Sequence, residues 1–429
     1  MSTNSLTRRQ FVRTSAAIGV AAATVTGLPR FAASEEKTVK VGFLAPLTGE
    51  VAGWGLPGRD GCLIWADWVN AAGGIKVGAD SYKVEIVSYD DEYAPDKALL
   101  GGKKLVLEDG VKIVLMLGGD PWPGVQPFMN EQKMLCTTLL PSDLSPDTPY
   151  LLAPCEVHPI YNVTGVEWLA ANHPEAKTAA IVAQQDALGL PSVATYRAAF
   201  EASGIKVVHE KFFDIATTDF APIVTAMLAT KPDIICFDTA YPDYVNLLCE
   251  QAFHQGFKGK IVSCTMDNYP QIIEKTSKEF MEGVIFQFPD FDDPALEGTG
   301  INFKNANAFF AEYNKRFPGT WTAVSWEYAS ILELWKAAVE KAGSVEPLAA
   351  LEAMKAGGRA PHIFGDAQWW GKDLFGIDNA LVGNWPVVRI TDGKAKIVEY
   401  RSIPVWWDKN KDVLIKHFRD LKQMWDQRA

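Results

Sequence analysis

Apolar residues fall into short runs separated by stretches of helical spacing along nearly the whole chain. Residues 39–45 (VKVGFLA) read as a buried strand, followed by a loop holding Pro46, Gly49, Gly53, Trp54 and Gly55. A helix over 62–72 comes next and is closed by Gly73-Gly74. An alternating strand at 82–89 ends on Asp90-Asp91, which reads as a solvated strand end. A helix over 95–109 stops at Gly110, and the unbroken apolar run 111–117 suits a strand buried on both faces. The loop 118–124 (GGDPWPG) leads into a helix through 132, with Asp120 as its candidate cap. A strand at 134–140 then runs into Pro141-Ser142-Asp143.

A second array begins near 154–159. Strands at 179–183, 206–213, 233–237 and 260–264 alternate with helices at 163–171, through 202, at 219–229 and at 246–255. Two consecutive βα arrays without a repeated glycine fingerprint predict two doubly wound α/β lobes. Ligands of such sheets bind on the loops beyond the carboxyl ends of the strands. Beyond 283 the pattern gives a strand, long helices at 302–316 and 326–342 and a short one at 347–354. A tryptophan-rich β-like tail with a turn at Asp392-Gly393 follows, and an amphipathic segment at 411–428 comes last.

Composition narrows the function. The 429 residues exceed one compact core. Lys and Arg number 41 against 52 acids, a formal charge of −11 with no basic stripe, which argues against nucleic acid. The first 34 residues form a separate object: Thr7-Arg8-Arg9-Gln10-Phe11-Val12 is a twin-arginine pattern, with an apolar run at 16–28 and Ala32-Ala33 near a cleavage site. This predicts a bacterial export signal and a periplasmic location. Its removal takes away four arginines and no acid, leaving −15. No other segment has 18 uncharged apolar residues, so the mature chain is expected to be soluble. The six cysteines form no CxxC pair and no His stands at zinc spacing, so no metal is expected; disulfide pairing stays open. GxSxG, HExxH and P-loop patterns are absent, and Gly49, Gly53 and Gly55 do not match GxGxxG. The sequence therefore predicts no cofactor and no catalytic residue, which weighs against an enzyme.

Several pieces taken in order resemble the branched-chain amino acid (Leu/Ile/Val-binding) family of ABC-transporter solute-binding proteins. They are VGFLAPLTGEVAGWG at 41–55, NAAGGI at 70–75, the acids after Tyr89, TTDFAPIVTAML with KPDII, QAFHQGF at 251–257, and DNALVGNWPVVRITDGK at 378–394. The resemblance implies a type I periplasmic binding protein: two Rossmann-like lobes joined by a three-crossover hinge, closing on a ligand. Lobe 1 would be 38–155 plus 286–363, and lobe 2 would be 156–285 plus 364–429. It also implies a monomer that delivers a small organic solute to ABC permease subunits and their ATPase. A ligand sensor of the same fold is the alternative.

The resemblance implies a carboxylate cradle in lobe 1, where the family's serine position falls on Trp122 and Ser142 remains as a hydroxyl donor. In lobe 2 it implies an ammonium clamp at His158, Tyr241 and Asp267, with His158 where the family has an acid. A buried ammonium without a carboxylate partner is costly. The expected ligand is therefore a flat or apolar solute, an aromatic or other carboxylate, ahead of an amino acid. Trp54, Trp122 and Tyr241 would stack on it, and a protonated His158 would pair with its carboxylate.

Overall fold

A computed structural model describes residues 37–428 apart from 156, 239–240, 265, 298–302 and 304. The twin-arginine segment lies outside the described residues. Two sheets organise the rest. The first holds β1 (Lys37–Ala45), β2 (Ile75–Val77), β3 (Asp80–Asp90), β4 (Val114–Met116), β5 (Cys136–Thr137) and β6 (Leu151–Leu152), in the order β2-β3-β1-β4-β5-β6. All its pairings are parallel except β2 with β3. Val41 to Ala45 of β1 are buried on both faces, as a central parallel strand requires.

The second sheet holds β7 (Thr178–Gln184), β8 (Lys206–Phe213), β9 (Ile234–Asp238), β10 (Lys260–Ser263), β11 (Ile285–Phe286), β12 (Arg359–His362), β13 (Gly365–Trp370), β14 (Ala380–Thr391) and β15 (Lys394–Ser402). Its order is β12-β13-β14-β11-β10-β9-β7-β8, with β15 on β14. The run β8 to β11 is parallel, and the β14–β15 hairpin is antiparallel around Asp392 and Gly393, both at positive φ. The chain is thus an α/β protein of two wound lobes. A strand-like contact joins them: Ala153 bridges to Ala380, with Ala153 N–H donating to Asn379 O and Leu381 N–H to Ala153 O, both at 2.9 Å.

The helix Ala52–Ala71 corrects the loop expected around Gly53, Trp54 and Gly55; it starts ten residues earlier than its apolar spacing suggests. Its glycines are there for packing. A Cβ on Gly58 would meet the Tyr328 ring at 2.6 Å, and one on Gly61 would collide with the Ser325 backbone carbonyl. Both contacts lie on Val324–Ala342, the helix that returns from the far end of the chain to pack along Ala52–Ala71. The amphipathic end of the chain is likewise longer at its start: the helix runs Ile403–Asp420 and packs on Gly189–Ala202. The remaining turn carries the chain back to the first lobe, where Arg428 Nη2 donates to Leu144 O at 2.9 Å. All six cysteines are buried.

Candidate functional site

The first lobe presents its loops through buried carboxyls. Asp90 accepts from Leu47 N–H (2.8 Å), Thr48 Oγ1 (2.6 Å) and Glu92 N–H (2.9 Å), fixing the turn that leads into Ala52–Ala71. Burial raises its pKa, but those donors outweigh it and hold the carboxylate below the usual range. Its neighbour Asp91 is 0 % exposed, and burial pushes it up to about 7. Asp91 is therefore buried structure rather than part of a solvated strand end, while Asp90 stays partly exposed. The loop after β4 turns through Gly118 and Gly119 at φ 93° and 81°. A Cβ on Gly118 would strike Thr138 Oγ1 and Asp143 Oδ2. Asp143 accepts from Gly119 N–H (3.1 Å) and Thr138 Oγ1 (2.7 Å). Its burial pushes it up to about 7 against those donors and Arg428. Asp120 accepts the Ala187 backbone N–H of the opposite lobe and, against expectation, does not cap the helix Trp122–Glu131, which begins after Pro121 without a side-chain cap.

The second lobe is ordered by Asp186, which the sequence did not single out. It accepts from Tyr241 OH and Gln184 Nε2, each at 2.9 Å, and from the N–H groups of Leu188 (3.0 Å) and Gly189 (2.8 Å). Burial raises its pKa against these donors. The Tyr241 phenol is thereby committed, and its ring stands edge-on to Trp54 across the lobes, centroids 5.4 Å apart at 88°. A third wall comes from the crossovers. Tyr161 stacks on Trp385 (4.8 Å, 12°), and Phe288 meets both edge-on.

These parts enclose a small cavity of about 30 Å³ lined by Trp54, His158, Tyr161, Asp267, Phe288 and Glu327. Leu117, Leu139, Leu140, Leu188, Ala323 and Val324 also line it among the described residues. The lining, mostly apolar and aromatic with a few polar groups, is that of a small-molecule site, while the volume is far smaller than such sites have, so the lobes lie closed on one another here. Of the six residues expected from the sequence, Trp54, His158 and Asp267 line this cavity. Tyr241 lies behind Trp54. Trp122 and Ser142 are buried in the first lobe beside the wall rather than on it, with the indole N–H and the hydroxyl both unpartnered. The side chains on that wall are leucines, so the expected hydroxyl cradle is apolar. Burial drives the His158 pKa down to about 3 in the solute-free protein, because desolvation disfavours the charged ring. Asp267 accepts the Ala323 backbone N–H, and burial, with the nearby Asp290 charge, pushes it up to about 7. Glu327 is fully buried in the first turn of Val324–Ala342. Glu327, Tyr161 and Phe288 were missed because each sits where distant segments meet and none carries a local motif.

Residues 38–395 match the periplasmic binding protein family. The chain belongs to that family. It is 24% identical over 349 residues to the leucine-, isoleucine-, valine-, threonine- and alanine-binding protein of Pseudomonas aeruginosa, covering 78% of this chain and 87% of that one. A Rhodopseudomonas palustris ABC-transporter solute-binding protein solved with 4-hydroxybenzoate superposes with a TM-score of 0.68 at 21% identity, over 86% of this chain and 99% of that one. The Streptococcus pneumoniae branched-chain amino acid transporter substrate-binding protein, solved with isoleucine, gives 0.67 at 18% identity over 85% and 100%. The relatives are named as binding and transport proteins, and the periplasmic binding protein architecture is the type I arrangement of two hinged α/β lobes. No helix among the described residues is long and apolar enough to cross a membrane.

Proposed function

We propose that the protein is the periplasmic solute-binding component of an ABC importer, capturing a small organic solute with a flat or apolar body between its lobes. The observation that carries this reading is the cavity itself, walled by Trp54, Tyr161, Phe288 and four leucines and closed from both sheets. Stacking and exclusion of water would supply most of the affinity, and the few polar groups would orient the solute. The twin-arginine segment supports export to the periplasm. Residues 38–155 with 286–363, and 156–285 with 364–429, are taken as the two lobes, with β12 at 359–362 reaching over to pair with β13 of the second sheet. The protein would act as a monomer, docking on permease subunits driven by their ATPase. The solved relatives bound to an aromatic acid and to isoleucine favour solutes of this size. Of the carboxylate expectation, the aromatic walls support the flat body; the described wall offers no Lys or Arg for the acid group.

The test is a thermal-shift screen of the exported protein, dialysed free of solute, followed by calorimetry on whatever shifts it. The reading requires a saturable 1:1 complex with at least one aromatic or branched aliphatic solute, and uptake of that solute lost on deletion of the gene. Absence of any such complex, or steady consumption of the solute, overturns it. A complex whose loss leaves uptake intact would favour the sensor of the same fold.

A further inference from the structure

The last turn of the chain ends behind the leucine side of the cavity. The family match stops at residue 395. Beyond it the helix Ile403–Asp420 packs on Gly189–Ala202 of the second lobe, with Lys416 Nζ and His417 Nε2 on Glu201 Oε2 at 2.9 and 2.7 Å. Lys422, at φ 58°, turns the chain back, and Met424 is buried. Trp425 comes to rest beside Pro146 of the first lobe: a Cβ on Gly376 would strike both, 2.6 Å from the proline and 2.8 Å from the indole. Arg428, its N–H on Met424 O at 3.2 Å, donates from Nη2 to the O of the buried Leu144 at 2.9 Å. Burial lowers the Arg428 pKa only to about 10, so the guanidinium stays charged at pH 7 and its field acts on Asp143.

We infer that Arg428 is a positioning residue for the solute cavity, fixing its leucine wall from behind through Asp143 and Leu144. This deepens the proposed function and rests on it. Asp143 is where the two loops of that wall are tied together, by Gly119 N–H and by Thr138 Oγ1. Thr138 Oγ1 also lies 3.2 Å from Leu117 O and accepts from Leu140 N–H at 3.0 Å. Leu117, Leu139 and Leu140 all line the cavity. Gly119 leads straight into Asp120, which accepts the Ala187 N–H of the opposite lobe, next to Leu188 of the same lining. A cation near Asp143 favours its ionised form, the stronger acceptor for those donors. Without the guanidinium the buried Leu144 carbonyl would lose this donor as well. The tie joins the lobes, because the turn that carries Arg428 follows a helix seated on the second lobe while Asp143 and Leu144 belong to the first.

The experiment uses the full chain, free of solute, as wild type, Arg428→Met, Arg428→Lys and Arg419→Met. The last is a control that removes an exposed arginine of the same helix, 3.8 Å from Asp426. Hydrogen exchange read by mass spectrometry over segments 117–121 and 138–144 should quicken about 10-fold in Arg428→Met, the scale of one charge-assisted hydrogen bond, and stay near wild type in the other two. Unchanged exchange there overturns the inference. So does an equal quickening of both lobes, which is what loss of plain structural support would give. Calorimetry with 4-hydroxybenzoate and isoleucine supplies the second arm. For a probe that wild type binds, Arg428→Met should raise the Kd about 5-fold or more, Arg428→Lys should recover most of that, and Arg419→Met should stay within about twofold. An unchanged Kd in Arg428→Met, despite local quickening, overturns the positioning role and leaves the solute-binding reading standing. If wild type binds neither probe, that result counts against the proposed function, and the exchange pattern alone upholds or overturns the inference.

Discussion

Replacing Trp54 by alanine removes an indole that reaches Tyr241 of the opposite lobe. The indole is 4 % exposed, so it buries about 200 Å² of surface, worth about 5 kcal/mol at 25 cal/mol/Å². Part of that contact is with its own lobe and persists when the lobes separate. The face toward Tyr241 and the cavity exists only when they meet, and assigning it about half gives ~2.5 kcal/mol, including an edge-to-face contact worth about 1 kcal/mol. A solute that binds between the lobes draws on this closed-state energy. Trp54→Ala should therefore weaken binding by about 2–3 kcal/mol, roughly 30- to 150-fold in Kd. Trp54→Phe should recover most of the loss. The assay is calorimetry with the tightest-binding member of the solute panel, with circular dichroism and thermal melting to establish that the variant is folded. A folded Trp54→Ala protein whose Kd stays within about threefold of wild type would mean that the solute does not occupy this cavity.

Three further outcomes follow from particular contacts. Gly61→Ala should lower the melting temperature by several degrees, because overpacking against the Ser325 carbonyl (about 2 kcal/mol or more) exceeds the ~1 kcal/mol gained in helix propensity; an unchanged or raised Tm would refute the close helix contact. Asp186→Asn loses the charge that four donors share and loosens Tyr241 behind Trp54, so the Kd should rise about 3- to 10-fold; equal affinity would show that the Asp186–Tyr241 pair does not support the wall. The Asp143 carboxyl, pushed up to about 7, holds a proton in the folded chain that the unfolded chain releases near pH 4. Its contribution is full below that pH and is lost as pH rises through 7. Chemical denaturation should show wild type losing about 1.4 kcal/mol per pH unit more than Asp143→Asn between pH 5 and 6.5. Parallel pH profiles would contradict that assignment.

The parts of the fold that were legible are those where one local property decides. The apolar runs at β1, β4, β7 and β9 mark central parallel strands, and Asp392-Gly393 marks the hairpin. The helix Ala52–Ala71 was misread because Gly53, Gly55, Gly58 and Gly61 signal a loop by conformational freedom. Here some of them serve as clearance for Val324–Ala342, more than 250 residues away. No local pattern carries that partner, and the interleaving of the chain between the sheets entered through family resemblance rather than periodicity. The site divides the same way. Trp54 and Asp267 stand next to loops that follow strands, where ligand contacts are expected. Asp186 lies in just such a loop, 184–190, and the position was available, but its importance depends on Tyr241 55 residues away. Trp122 and Ser142 were placed on the wall by counting along the chain; the backbone turns at Gly118 and Gly119 put leucines there instead.

The backbone bridge at Ala153 limits how the protein can open. Two hydrogen bonds to residues 379–381, with Asn379 Nδ2 held on Leu151 O at 2.8 Å, leave the lobes no freedom to slide past each other without breaking a ladder. The degree of freedom that remains is rotation about an axis near that ladder. Displacement then grows with lever arm: residues at the bridge stay in place, while Gly53 and Pro242, which face each other across the lobes, come apart. Pairs of labels across residues 153 and 380 would be silent to the motion, and pairs on the outer rims would report its full angle.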